Sequence, residues 1–291
     1  MSLRTVLIAV LAVLAGACAS TPAPSTAPAP PAATGKPPPD PATVATESAL
    51  EVVLAGEHRS AENRARDQYR HPRDTLLFFG IRPEMTVVEV WPGAGGWYTE
   101  ILGPLLREHG KLYVANMPAM PGNQYVTASL KSFSDKLAAR PDLYGGIEVT
   151  TLGPGAFAVA PPGSADLVVT FRNLHNWMGI GIADAAIAEM YRALKPGGIL
   201  GVVEHRAAAA DSQDPRAANG YVNEQRAIEL IEAAGFRLEA RSEINANPKD
   251  TKDYEQGVWT LPPSYRLGDR DRAKYASIGE SDRFTLRFRK P

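Results

Sequence analysis

The residues of this 291-residue chain that could do chemistry gather at the ends of short apolar runs. The best defined run is Val87-Val88-Glu89-Val90-Trp91, followed at once by Pro92-Gly93-Ala94-Gly95-Gly96. A strand that empties into a glycine-rich turn and then a helix lets backbone N–H groups approach a ligand closely. The dinucleotide fingerprint G-x-G-x-x-G is not met, because Tyr98 stands where its third glycine belongs. This counts against nicotinamide and flavin chemistry. Glu204-His205 closes another apolar run and is a candidate functional pair. Tyr69-Arg70-His71 reads as a solvated helix end rather than a lid. There is no G-x-S-x-G elbow, no H-E-x-x-H and no cysteine nucleophile in the folded part. His58, His71, His109, His175 and His205 show no metal-ligand spacing, so no metal site is expected.

Alternating strands and helices must position these groups. Three helical segments come first, at 47–54, 60–69 and 72–79, the last opening on a proline. Strands follow at 86–91, 111–116, 146–152, 166–171 and 199–204. Helices at 97–107 and 125–139 lie between them, the first with apolar residues at helical spacing. Ile182, Ala186, Met190 and Leu194 recur every four residues and mark a helix that stops at Lys195-Pro196-Gly197-Gly198. A helix at 222–234, capped by Gly235, leads to a strand at 236–243. The last strand alternates Phe284, Leu286 and Phe288 against Arg283, Thr285, Arg287 and Arg289. The pattern predicts an α/β protein: a doubly wound, mostly parallel sheet with an antiparallel last strand, behind N-terminal helices. Ligands bind such sheets at the carboxyl ends of the strands.

Composition narrows the class. With 44% hydrophobic and 22% charged residues the chain is an ordinary globular one, and its formal net charge of -1 lacks the basic footprint of a nucleic-acid binder. The single cysteine, Cys18, allows neither an intramolecular disulfide nor a thiolate cluster. It ends a positively charged start, an apolar run from Val6 to Leu14, and Ala15-Gly16-Ala17. This order predicts a signal peptide over 1–18 and export to the periplasm. The cysteine resembles the acylated residue of a bacterial lipoprotein, which would make Cys18 the lipidation site and the only membrane attachment. The same residues also satisfy an A-x-A site for ordinary cleavage. Residues 19–45, rich in Ala, Pro, Thr and Ser, read as a disordered tether, and 46–291 as one domain.

The strand, acid and glycine turn around Glu89, Gly93 and Gly95 resembles the first motif of class I S-adenosylmethionine-dependent methyltransferases. Leu194-Lys195-Pro196-Gly197-Gly198 resembles the turn before the fifth strand of those enzymes, and Ala165-Asp166-Leu167-Val168-Val169-Thr170 their fourth strand. Arg172-Asn173-Leu174-His175-Asn176-Trp177 and Ile278-Gly279-Glu280-Ser281-Asp282-Arg283 resemble a bacterial group of predicted methyltransferases. The resemblance spans about Met85 to the C-terminus. It implies a Rossmann-like fold, S-adenosylmethionine as cofactor and a small-molecule methyl acceptor. Glu89, Gly93, Gly95 and Asn116 would hold the cofactor, and His175 would be the base. Asn173, Asn176 and Trp177 would position the acceptor, and Arg172 would hold an anionic one.

Two positions depart from the pattern. Trp91 replaces the first glycine, so the turn must be built differently there, and Asn116 replaces the acid expected on the cofactor ribose. Export adds a further tension, since the cofactor is made in the cytoplasm and its charges oppose passage through a bilayer. The alternative is an exported, non-catalytic binding protein that keeps the fold.

Overall fold

The computed structural model describes residues 40–209 and 211–291. The expected signal peptide, Cys18 and the tether up to residue 39 lie outside the described residues. The stretch read as tether ends sooner than its composition suggests. Helix α1 (Pro41–Ala55) starts inside it, because Asp40 accepts from the Ala42 N–H as N-cap and Pro41 fits the first helical position. The segment read as one helix at 60–69 is two, α2 (Ala61–Arg64) and α3 (Asp67–Arg70). Ser60 caps the first, and His71 turns left-handed after the second (φ +39). Helix α4 (Pro72–Phe79) lies where its proline and periodicity put it. Among the described residues no helix is long and apolar enough to cross a membrane.

Strands β1 (Thr86–Val90), β2 (Lys111–Asn116), β3 (Glu148–Gly153), β4 (Ala156–Ala158), β5 (Ala165–Phe171), β6 (Leu194–His205), β7 (Arg237–Ser242) and β8 (Arg283–Arg289) form one sheet. Its order is β4-β3-β2-β1-β5-β6-β8-β7. Pairing is parallel from β3 through β6, and the short β4 folds back antiparallel on β3. The last strand is antiparallel, as expected, and inserts between β6 and β7. This is a Rossmann-like α/β fold. The chain winds one way from β1 to β3 and then returns to the other side of β1 with β5. That reversal opens a crevice at the carboxyl ends of β1 and β5.

Helices α5 (Thr99–Leu106), α6 (Gln124–Ala139), α7 (Pro141–Tyr144), α8 (Leu174–Ile180), α9 (Ala183–Ala193), α10 (Glu224–Ala233) and α11 (Arg272–Ile278) complete the chain. Two apolar layers hold them. Val88 and Val90 of β1 join Trp177, Ile187, Met190, Ile228 and Ile231 of α8 to α10 on one face. Val87 joins Leu50, Phe79, Ile101, Leu102 and Phe133 of α1, α4, α5 and α6 on the other. Alternate residues of one strand therefore serve opposite layers. Phe284, Leu286 and Phe288 are wholly buried in the first layer. Each such side chain contributes about 1.5–3 kcal/mol of burial.

Candidate functional site

A cavity of about 280 Å³ opens at the carboxyl ends of β1, β5 and β6. Its wall includes Arg70, Glu89, Gly93, Arg172, Asn173, His175, Asn176, His205, Trp259 and Arg283.

The turn after β1 forms one wall. Trp91, in the position of the missing glycine, takes the left-handed conformation itself (φ +50), at a cost of ~1–2 kcal/mol. Its indole is held by a hydrogen bond to the Leu152 carbonyl (2.8 Å) and by edge-on packing against Trp177. The backbone thus keeps a conformation suited to glycine while the indole is pinned against Leu152 and Trp177 at the edge of the cavity. A methyl group placed on Gly93 or Gly95 would meet nothing within 4 Å, whereas on Gly96 it would strike Phe133 at 2.8 Å. Gly93 and Gly95 therefore border open space, and Gly96 serves packing. Glu89 is buried below them and accepts from the Thr99 hydroxyl (2.6 Å). Burial pushes its carboxyl up to about 7, against the Thr99 hydrogen bond and the charge of Lys136.

Asn116, expected beside this turn, does not reach the cavity wall. It ends β2 buried, and its Oδ1 accepts from the Met117 N–H (2.9 Å). Trp177 is likewise corrected. It is 1% exposed and sits in the apolar layer under Trp91, not at the cavity. The reason is helical phase: α8 begins at Leu174, and each residue turns about 100° from the last, so His175 and Asn176 face the cavity and Trp177 the core.

The end of β5 supplies the groups opposite. Asn173 donates its amide to the Val90 carbonyl (2.9 Å) and to the Thr170 hydroxyl (3.1 Å), which ties β5 to the end of β1. Asn176 is exposed at the rim. His175 is nearly buried, and its Nδ1 lies 2.9 Å from Oε1 of Glu204, which is wholly buried at the end of β6. Glu204 also accepts from the backbone N–H groups of His175 (3.2 Å) and His205 (2.7 Å). With that carboxylate accepting, the His175 proton sits on Nδ1 and Nε2 is left bare. This geometry is that of an oriented base.

His205 pairs with the Ser281 hydroxyl through Nδ1 (2.5 Å). Burial, then His175, Arg283, Arg172 and Arg70, push its imidazole well below the ordinary value, so it is neutral. Ligand atoms of His175, Glu204 and His205 lie within 4.8 Å of one another, a metal-compatible grouping that sequence spacing did not reveal. The surroundings oppose a cation. The guanidiniums of Arg283, Arg172 and Arg70, which add to the effect of burial and of His175 on His205, would repel it, and the Glu204 oxygens are already engaged. The arrangement fits an acid–base pair better than a metal centre.

Sequence reasoning also missed a cluster of arginines. Glu280 accepts from Arg66 (2.6 Å), Arg70 (3.2 Å) and Arg283. Burial would raise its carboxyl, but Arg283, Arg70, Arg172 and Arg66 outweigh that and hold it well below the usual range. Arg70 also lies over the Trp97 ring at 4.6 Å. The signal available was the run Ile278 to Arg283, in which Glu280, Ser281, Asp282 and Arg283 are all buried.

No family model and no curated protein matches this chain. Solved structures do. A SAM-dependent methyltransferase from Aquifex aeolicus superposes with a TM-score of 0.53 at 17% identity, over 84% of this chain and 98% of that one. The [4+2]-cyclase SpnF superposes with a TM-score of 0.55 at 17% identity, over 81% and 86%. At this identity the likeness establishes the fold, and a fold carries more than one reaction.

Proposed function

We propose that this chain, which has the fold of a SAM-dependent methyltransferase, transfers a methyl group from S-adenosylmethionine to a small acceptor in the cavity at the carboxyl ends of β1, β5 and β6. The observation that carries this reading is the pairing of a ligand-ready glycine turn with an oriented base across one cavity. Gly93 and Gly95 leave room beside the turn, and Glu89 offers an acid within the wall. Glu89 and Gly93 border the cavity and fit the cofactor, while Gly95 and Asn116 contribute nothing to its wall. When bound, the sulfonium supplies an activated methyl electrophile. The protein's own task is to align the acceptor and remove its proton. His175 takes that proton at Nε2, and Glu204 holds the ring and favours the imidazolium that results. Asn173 fixes the two strand ends that carry the turn and the base. Asn176 and Trp259 border the mouth.

Incubation with methyl-labelled S-adenosylmethionine and a panel of small hydroxyl and amine acceptors tests the reading. Label transfer that is lost in His175→Ala is the expected result.

The second reading, a non-catalytic exported binding protein, is favoured by one observation: the Asn116 Oδ1 is taken up by the Met117 N–H. S-adenosylhomocysteine binding with no transfer to any acceptor would select it. We also propose export as a lipoprotein acylated at Cys18. The order of the N-terminal residues supports this. Labelled palmitate should mark the intact protein and not Cys18→Ser, and absence of label from both would reject acylation.

A further inference from the structure

We propose that Arg172, with Arg70 and Arg283 beside it, forms a binding site for the carboxylate or phosphate group of the methyl acceptor. The proposal rests on the reading above that this cavity receives the acceptor, and it names the acceptor's chemical class.

Three cationic side chains, Arg70, Arg172 and Arg283, line the cavity, and Glu89 is the one carboxylate in its wall. Burial holds Glu89 largely protonated below about pH 7, so it offsets little of that charge. Behind the wall, Glu280 is shared among Arg66, Arg70 and Arg283. One carboxylate cannot balance four guanidiniums, those of Arg66, Arg70, Arg172 and Arg283. The excess falls on Arg172. Its guanidinium makes no hydrogen bond or ion pair with any described residue, and burial followed by repulsion from Arg283 pushes it down to about 10. It remains charged at neutral pH all the same.

A partly exposed guanidinium with no protein partner is open to an anion, and charge-assisted, bidentate hydrogen bonds to a carboxylate or phosphate are the strong ones. Backbone conformation points the same way. Arg172 is held left-handed (φ +62), an unfavourable state for arginine that occurs preferentially at functional sites. The remaining question is which anion. The cofactor carries a carboxylate of its own, but Arg172 lies three residues from His175 on the same β5–α8 turn. An acid group on Arg172 would hold the rest of an acceptor next to the base. The glycine turn, by contrast, is built on β1.

The test uses the full-length protein and three probes: inorganic phosphate, acetate and S-adenosylhomocysteine, each titrated calorimetrically at constant ionic strength. Asn tolerates the left-handed backbone, and Arg172 has no ion pair to lose, so Arg172→Asn is the informative variant. Wild type is expected to bind phosphate or acetate, the tighter of the two identifying the acid group. Arg172→Asn should weaken that binding by about tenfold or more, with S-adenosylhomocysteine affinity kept within about threefold. Arg172→Lys, which keeps the charge, should lose less than Arg172→Asn. Equal anion binding by wild type and Arg172→Asn would overturn the proposal. So would equal losses in the Lys and Asn variants, which would indicate local distortion. Parallel loss of S-adenosylhomocysteine and anion binding would overturn it in favour of the cofactor's own carboxylate. If S-adenosylhomocysteine binds neither protein while the anion difference persists, the methyl-transfer reading fails and the anion site stands.

Discussion

At the amino ends of the strands lies a cavity of about 540 Å³, lined by Arg82, Lys195, Arg287 and Arg289. Each of these cations has a carboxylate beside it: Asp40 for Arg82, Asp166 for Lys195, and Glu239 for both Arg287 and Arg289. At the carboxyl ends the cavity is about half that size, 280 Å³. There Arg172 has no partner among the described residues, Glu89 is forced toward its neutral form, and Trp91 and Arg172 are left-handed without being glycine. The larger hollow is electrostatically settled and the smaller one is strained. Strain and uncompensated charge cost stability and persist where a ligand relieves them, so they mark the functional end where volume would mislead.

The comparison breaks most easily at His175. His175→Ala should reduce turnover by ~10²–10⁴-fold and leave S-adenosylhomocysteine affinity unchanged, as single-turnover kinetics and calorimetry would read. Unchanged turnover would remove its role as base. Glu204→Gln leaves His175 on its helix but weakens the pairing that sets its tautomer, so turnover should fall less far.

Glu89 comes next, and here function and stability oppose each other. Its folded value of about 7 lies above the usual 4.5. Between those pH values the folded protein keeps a proton that the unfolded chain releases, so this group's contribution to stability falls as pH rises through the window. Glu89→Gln should therefore match wild type near pH 4 and exceed it by up to ~3 kcal/mol above pH 7, while losing cofactor affinity. Thermal melts across pH would read the first effect. A stability difference that does not grow with pH would contradict the assignment.

The glycines separate geometry from strain. Gly93→Ala places a side chain on a left-handed residue (φ +73) and should cost ~1–2 kcal/mol of stability. Gly95→Ala meets only open space and has no positive φ. Its stability should barely move, so any loss of S-adenosylhomocysteine affinity reports the ligand's approach. The smallest effect belongs to the other end of the sheet. Lys195→Met breaks the exposed pair with Asp166 and should change stability by less than about 1 kcal/mol, with turnover unaltered. A large loss of turnover there would erase the contrast between the two ends.

What the sequence revealed and what it hid divide along the same line. Helix α4 and strand β2 were legible to the residue because their signals are local: a proline start, an apolar run, a glycine stop. The order of motifs from Glu89 to Lys195 likewise implied the sheet and the end at which ligands enter. The arginine cluster left only a partial local trace, the run Ile278 to Arg283, since its other members lie far off in sequence: Arg66 and Glu280 meet across 214 positions of chain. The pairing of His175 with Glu204 spans 29 positions and was visible only as two separate candidates. Asn116 and Trp177 stay out of the cavity wall because of side-chain direction, which no spacing encodes at a strand or helix end: one accepts from the Met117 N–H and the other enters the core. The short β4 lacks the length that gives a strand its periodicity.

The central claim is that the strained end of the sheet binds S-adenosylmethionine. Calorimetric titration of the purified protein with S-adenosylmethionine and S-adenosylhomocysteine tests it most directly. Micromolar binding that raises the melting temperature and is lost when Gly93 is replaced by valine is the predicted result. No heat and no shift in melting temperature with either ligand would contradict it.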